Sequence, residues 1–234
     1  MPAFNVAKFL EDTVSRIPGD FWSQIHILHI LNDGSMDRTG AIADSLATRN
    51  PKIQVTHFPE NRGYGAVVRQ GISLGLGDGS EVVICLHGDG QYAPELLPDL
   101  EAAIRARNFD LLQGSRLAQA GAMAGGMPLY KWLAGQALCF LENRVFRLSL
   151  TDYHSGYLLY SRTFLLASGF ESLQGQFEID LELIASARAK GFRVGEHPIP
   201  TRYAGETSHL NPVAYGFRVL QVLQKYCTGD YGRH

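Results

Sequence analysis

The 234 residues are enough for one large core; 45% are hydrophobic, 19% are charged, and the formal net charge is −2. That balance is ordinary for a globular protein and excludes a generally basic nucleic-acid-binding surface. Cys85, Cys139 and Cys227 are too scattered for a disulfide framework or a structural zinc site, which fits a reducing, cytoplasmic setting. No apolar run reaches the ~18 residues of a membrane-spanning helix, and the first residues have neither signal-peptide nor transit-peptide character.

Helical spacing of Val6, Phe9, Leu10, Val14 and Ile17 predicts a first helix over 6–17, followed by a strand over 24–31. Helix and strand patterns then alternate: helix 39–48, strand 53–57, helix 66–76, strand 81–86, helix 94–107 and strand 109–113. Such alternation predicts βαβ units, hence an α/β fold whose mostly parallel central sheet is flanked by helices. Beyond a small-residue loop at 121–126 the pattern changes to a long helix over 128–147, a helix over 177–190, a strand over 192–198 and a last helix over 213–226. The chain reads as one domain, 1–234, with a ligand-binding half over 1–117 and a second half over 118–234.

Three loops carry the chemistry, each at the carboxyl end of a predicted strand, where open α/β sheets bind ligands. Asn32-Asp33-Gly34-Ser35 offers a carboxylate for a nucleobase or ribose, although, taken alone, a capped strand-to-helix turn explains it better. In Asn61-Arg62-Gly63-Tyr64-Gly65 two glycines permit close backbone approach ahead of a helix N-terminus that favours an anion. It is neither a Walker loop nor a full dinucleotide fingerprint, because Val68 stands where the third glycine belongs. His87, Asp89 and Gln91 alternate, so an extended backbone points all three the same way. One carboxylate with an imidazole and an amide is a thin metal shell, completed only if water and nucleotide phosphates supply the rest. A polar loop with no ligand explains those three residues as well.

Taken together, these stretches resemble glycosyltransferase family 2. Pro2-Ala3-Phe4-Asn5, Asn32-Asp33-Gly34-Ser35, Asn61 to Gly65 and His87-Gly88-Asp89-Gly90-Gln91 stand in that family's order and spacing. Gly114-Ser115-Arg116, Asp152 to Gly156, Phe177 to Asp180 and Arg202 to Glu206 continue the pattern. The pattern is similar to that of dolichol- and polyprenol-phosphate mannosyl- and glucosyltransferases. The resemblance implies a GT-A fold, a nucleotide-diphosphate sugar donor, a divalent metal and inversion at the anomeric carbon. Carried onto this chain, it implies that Pro2, Ala3, Phe4, Asn5, Asn32 and Asp33 hold the nucleoside. Arg62, Gly63 and Gly65 would serve the diphosphate, and Asp89 and Gln91 would ligate the metal beside His87. Asp89 and Asp152 are the catalytic candidates.

The chain departs from the family pattern in four places. His87 replaces a carboxylate and, being a softer ligand, favours Mn²⁺ over Mg²⁺. Asn32 replaces an Asp, and Leu158 stands where relatives place an Arg. Met1 abuts Pro2, so the first central strand is missing; the expectation is a natural start roughly ten residues earlier, since its neighbours would otherwise keep unpaired backbone groups.

A hydroxyl acceptor needs a base, for which Asp152 is the candidate. A polyprenyl phosphate is already an anion and needs cations instead; Arg116, Lys131, Arg144, Arg147, Arg202, His154 and His209 are available. That lipid acceptor is the favoured expectation. The apolar residues of 127–146 suit either core packing or a helix lying on a membrane, implying peripheral contact at its inner face. The rival reading is a non-catalytic nucleotide-sugar-binding protein or a subunit of a glycosyltransferase complex.

Overall fold

A computed structural model describes residues 1–117, 129–200 and 212–232, except for the side chains of 129–134 and 212–213. Among the described residues the first strand is β1 (Pro2–Ala3), followed by α1 (Leu10–Ser15), β2 (Leu28–Asn32), α2 (Thr39–Arg49) and β3 (Ile53–His57). Then come α3 (Tyr64–Gly77), β4 (Val82–Cys85), α4 (Leu97–Ala106) and β5 (Leu111–Ser115). The remainder holds α5 (Leu129–Phe146), β6 (Leu158–Ser161), α6 (Arg162–Ser168), α7 (Ile179–Ala189), β7 (Val194–Pro198) and α8 (Pro212–Cys227). The alternation predicted over 24–113 is present, with boundaries moved by a few residues.

The largest boundary change is at the start. Helix α1 spans only six residues, preceded by a turn in which Val6 O accepts from Phe9 N and Leu10 N. The apolar spacing still marks the buried face, since Val6, Leu10, Val14 and Ile17 are all buried.

The strands form two ladders, β1-β2-β3 (all parallel) and β4-β6-β5-β7. Strand β6, not anticipated from the sequence, runs antiparallel between β4 and β5, so the second ladder is mixed. Its four residues are too short for periodicity, and burial on both faces removes the apolar–polar alternation. The helix after it is capped by Ser161, whose hydroxyl accepts from Phe164 N at 3.1 Å.

Alternate strand residues feed two cores. Leu112 and Leu159 join a cluster with Leu10, Ile30 and Leu100, whereas Leu111, Leu158 and Tyr160 join another with Phe146, Phe164 and Ile184. Helices thus cover both faces of the sheet. Pro2 and Ala3 form a two-residue strand parallel to β2. Ala3 O accepts from Asp33 N at 2.9 Å, and Pro2 O accepts from Gly88 N at 3.0 Å, joining the ladders at their carboxyl ends.

Candidate active site

The loop after β1 is laced to the loop after β2. Asn5 adopts φ 53°, a left-handed conformation that Asn tolerates. Its N–H donates to Ser35 Oγ at 2.9 Å, and its Oδ1 accepts from Met36 N at 2.9 Å. Val6 N donates to Thr39 Oγ1 at 2.8 Å. Phe4 is left 46% exposed, whereas Ala3 is buried.

Asp33 is buried and spans to the glycine loop, accepting from Arg62 N at 2.8 Å and from Gly63 N at 3.0 Å. Gly34, at φ 67°, passes so close beneath that loop that a Cβ would fall 2.5 Å from Asn61 N. Asn32 is committed to its surroundings: Nδ2 meets His57 Nδ1 at 2.9 Å, and Oδ1 accepts from Ser35 N at 3.2 Å. The close approach inferred at Gly65 is to the protein itself, because a Cβ there would fall 2.0 Å from Gly175 O. Arg62 is exposed, its guanidinium 4.9 Å from the Phe58 ring centre.

The loop after β4 places His87 and Asp89 side by side. His87 Nδ1 lies 3.8 Å from Asp89 Oδ2, an ion-pair separation rather than a hydrogen bond. Asp89 Oδ1 accepts from Gln91 N at 3.0 Å, closing a turn through Gly90 at φ 77°. Burial works against a charged His87, but Asp89 and Cys85 outweigh it and hold the imidazole pKa well above its ordinary value. Burial likewise opposes ionisation of Asp89, and the His87 interaction outweighs it, holding the carboxyl below its usual range.

A protonated imidazole has no lone pair for a metal. The donor set therefore fits a divalent cation through Asp89 and Gln91, with water and phosphate oxygens completing the shell and His87 joining only when neutral. Among the described residues no group of three His, Cys, Asp or Glu side chains forms a self-sufficient metal cluster.

Behind His87 lies a pair that sequence reasoning missed. Tyr64 OH is 3.1 Å from His87 Nε2 and donates to Asp180 Oδ2 at 2.8 Å. Asp180 Oδ1 is buried without a hydrogen-bond partner, and burial raises this carboxyl to about 6 against the opposing effects of Tyr64 and His87. Gly156 closes the other side, since a Cβ there would fall 2.6 Å from the His87 ring. The 152–156 segment is thus brought against the Asp89 loop. Gly156 N also donates to Tyr92 OH at 2.7 Å.

In that segment Asp152 is buried and ion-paired. Its Oδ2 accepts from Arg116 Nε at 3.0 Å, its Oδ1 accepts from His154 N at 2.8 Å, and Arg116 also donates to His154 O at 2.8 Å. Burial would raise the Asp152 pKa, but the Arg116 guanidinium outweighs it and holds the carboxyl low. His154 Nδ1 meets Tyr215 OH at 3.0 Å, and its Nε2 lies 3.5 Å from Glu142, a wholly buried carboxylate that sequence reasoning also missed. Arg144 and Arg147 are exposed near the end of α5. Arg202, His209 and the Lys131 side chain lie outside the described residues, as does the loop predicted at 121–126.

A family model described as Glycosyl transferase family 2 matches residues 1–167. The chain belongs to glycosyl transferase family 2. It is 32% identical over 203 residues to polyprenol monophosphomannose synthase of Mycolicibacterium smegmatis, covering 85% of this chain and 74% of that one. It is 29% identical over 202 residues to undecaprenyl-phosphate mannosyltransferase of Micrococcus luteus, covering 85% and 80%. In fold it matches glucosyl-3-phosphoglycerate synthase from Mycobacterium tuberculosis, with a TM-score of 0.69 at 15% identity over 97% of this chain and 78% of that one. That neighbour has been solved with Mn²⁺ and UDP-glucose. The protein is accordingly a GT-A glycosyltransferase that uses a nucleotide sugar.

Proposed function

We propose that this family 2 enzyme transfers a hexose, with inversion, from a nucleotide-diphosphate sugar to a polyprenyl phosphate, assisted by Mn²⁺ or Mg²⁺ at Asp89. The observation that carries the reading is the Arg116–Asp152 pair. A carboxyl held low by a guanidinium is a weak general base, so Asp152 is poorly suited to deprotonating an alcohol. A phosphate monoester arrives already ionised and benefits from a cation held in place. The names of the Mycolicibacterium and Micrococcus relatives agree with a polyprenyl acceptor.

In this reading an acceptor phosphate oxygen attacks the anomeric carbon from the face opposite the nucleotide. The new C–O bond forms as the bond to the diphosphate breaks, and the nucleoside diphosphate departs. A bound divalent cation supplies Lewis-acid neutralisation of charge growing on that diphosphate. Asp89 and Gln91 hold it, and the laced loops at 3–7, 32–39 and 61–65 hold the nucleoside and diphosphate. Asp152 acts by positioning Arg116. The glycolipid product also makes sense of the apolar exterior, where Phe140 on α5 is 73% exposed and Phe217 on α8 is 65% exposed. Those rings suit peripheral contact with the inner face of a membrane.

The test is transfer of labelled sugar from GDP-mannose and UDP-glucose to polyprenyl phosphate and, in parallel, to free polyprenol. We expect one donor to label only the phosphate, in the inverted anomeric configuration. Arg116→Ala should lower kcat/KM by about 10- to 100-fold, the loss of one charge-assisted hydrogen-bonding group. Equal labelling of free polyprenol would contradict the phosphate reading.

A further inference from the structure

Beside the Arg116–Asp152 pair lies a carboxylate that the transfer proposed above leaves unused. Glu142, on α5, is wholly buried, and among the described residues neither of its oxygens makes a hydrogen bond. His154 Nε2, itself buried, faces Glu142 Oε2 at 3.5 Å. The other ring nitrogen, Nδ1, meets Tyr215 OH of α8 at 3.0 Å. Carboxylate, imidazole and hydroxyl thus stand in one row, which starts in the core and ends on Tyr215, a residue only half-buried.

The row has a polarity. A buried carboxylate facing a neutral imidazole would leave one uncompensated negative charge away from water. One further proton on the pair removes that charge, whether it rests on Glu142 or on His154. Both groups hold protons more tightly than usual. Burial raises the Glu142 carboxyl, with His154 opposing it. Burial opposes a charge on His154, but Glu142 and Asp152 outweigh it against Arg116 and hold the imidazole high. In either arrangement Nδ1 carries a hydrogen, because the other hydrogen lies on the line from Nε2 to Glu142. Nδ1–H then donates to the Tyr215 oxygen, and the hydroxyl keeps its own hydrogen for a partner other than His154. Among the described residues it has none. His154 is gripped at its carbonyl by Arg116, at 2.8 Å, and at its ring by Tyr215, so the guanidinium and the hydroxyl flank one residue.

We propose that Tyr215 is a phosphate-binding hydroxyl of the acceptor site, donating to a phosphate monoester held by Arg116, with Glu142 and His154 as positioning residues that fix it as a donor. An ionised phosphate oxygen accepts hydrogen bonds and offers none, so it requires this polarity. The ligand chemistry is that of any phosphomonoester; that its tail is a polyprenyl chain rests on the function proposed above.

The test measures, by calorimetry, binding of a short-chain prenyl phosphate, the matching prenol and glycerol 3-phosphate to the parent, Tyr215→Phe, Glu142→Gln and the double variant. Tyr215→Phe should weaken the phosphate ligand about tenfold, the loss of one hydrogen bond to a charged group, and leave the prenol unchanged. Gln keeps the shape of Glu142 but no longer fixes which ring nitrogen carries the hydrogen, so Glu142→Gln should weaken the same ligand several-fold. In the Tyr215→Phe background it should have no further effect, a non-additivity that a merely structural Glu142 would not show. Nitrogen NMR of the phosphate-bound parent should find a hydrogen on His154 Nδ1 at neutral pH. Full additivity, unchanged affinity in Tyr215→Phe, or a bare Nδ1 would overturn the proposal. If Glu142→Gln does not fold, Tyr215→Phe and the NMR signal decide. Glycerol 3-phosphate bound through Tyr215, with no binding of the prenyl phosphate, supports this site and contradicts the polyprenyl acceptor. Prenyl phosphate bound equally by the parent and Tyr215→Phe overturns this site and leaves that acceptor standing. Binding of neither phosphate by the parent overturns both.

Discussion

Asp180 shows how a side chain can be conspicuous in the structure and mute in the sequence. It closes the run Phe177-Glu178-Ile179-Asp180, yet its partner Tyr64 lies 116 positions away, and no spacing rule connects them. His87 has the same character: replacing a family carboxylate suggests a soft metal ligand, while its neighbours Asp89 and Cys85 favour the imidazolium. The Asp180 carboxyl is raised from 3.8 to about 6, chiefly by burial. Between those values the folded protein keeps a proton that the unfolded chain has released. The contribution is present below about pH 4, is lost as pH rises to about 6, and stays lost above. Asp180→Asn removes it. Measured by urea unfolding, the stability of Asp180→Asn relative to the parent should improve by about 2–3 kcal/mol between pH 4 and pH 7, whatever its offset at pH 4. A relative stability that does not change with pH would show that Asp180 ionises freely in the fold.

Elements with long apolar–polar periods were legible, and short or doubly buried ones were not. The helices at 39–49 and 64–77 and the strands at 53–57 and 82–85 lie close to their predicted places. Strand β6 was invisible because Leu158, Leu159 and Tyr160 are all buried, which erases the period of two. Among the described side chains of α5, Cys139, Glu142 and Phe146 are buried, whereas Phe140 points outward. Helices α5 and α8 pack together and present Phe140, Leu141, Phe217 and Leu220 to solvent. Phe140→Ser combined with Phe217→Ser should leave Tm within a few degrees of the parent and reduce sedimentation with anionic liposomes by about tenfold or more. Failure of the parent protein to sediment at low salt would remove the membrane role from this surface.

At the scale of the molecule, the alternation over 24–113 announced the α/β architecture, and the motif-bearing loops announced which segments would converge. The sequence could not show how the ladders join, because that depends on one carbonyl, Pro2 O, reaching Gly88 N. Nor could it show that Gly65 yields space to Gly175, or that Asp152 is tied to Arg116. What unites the site is convergence: loops after β1, β2, β3 and β4 meet on one side, and the 152–156 segment closes against His87.

That convergence is most directly tested by melting the protein with GDP, UDP, CDP and dTDP, each with Mn²⁺ and with EDTA, beside Asp89→Asn. The account predicts that one diphosphate raises Tm by several degrees with Mn²⁺, and that the rise disappears with EDTA and in Asp89→Asn. No rise with any of the four, or the same rise in EDTA and in Asp89→Asn, would contradict a metal-assisted donor site built on Asp89.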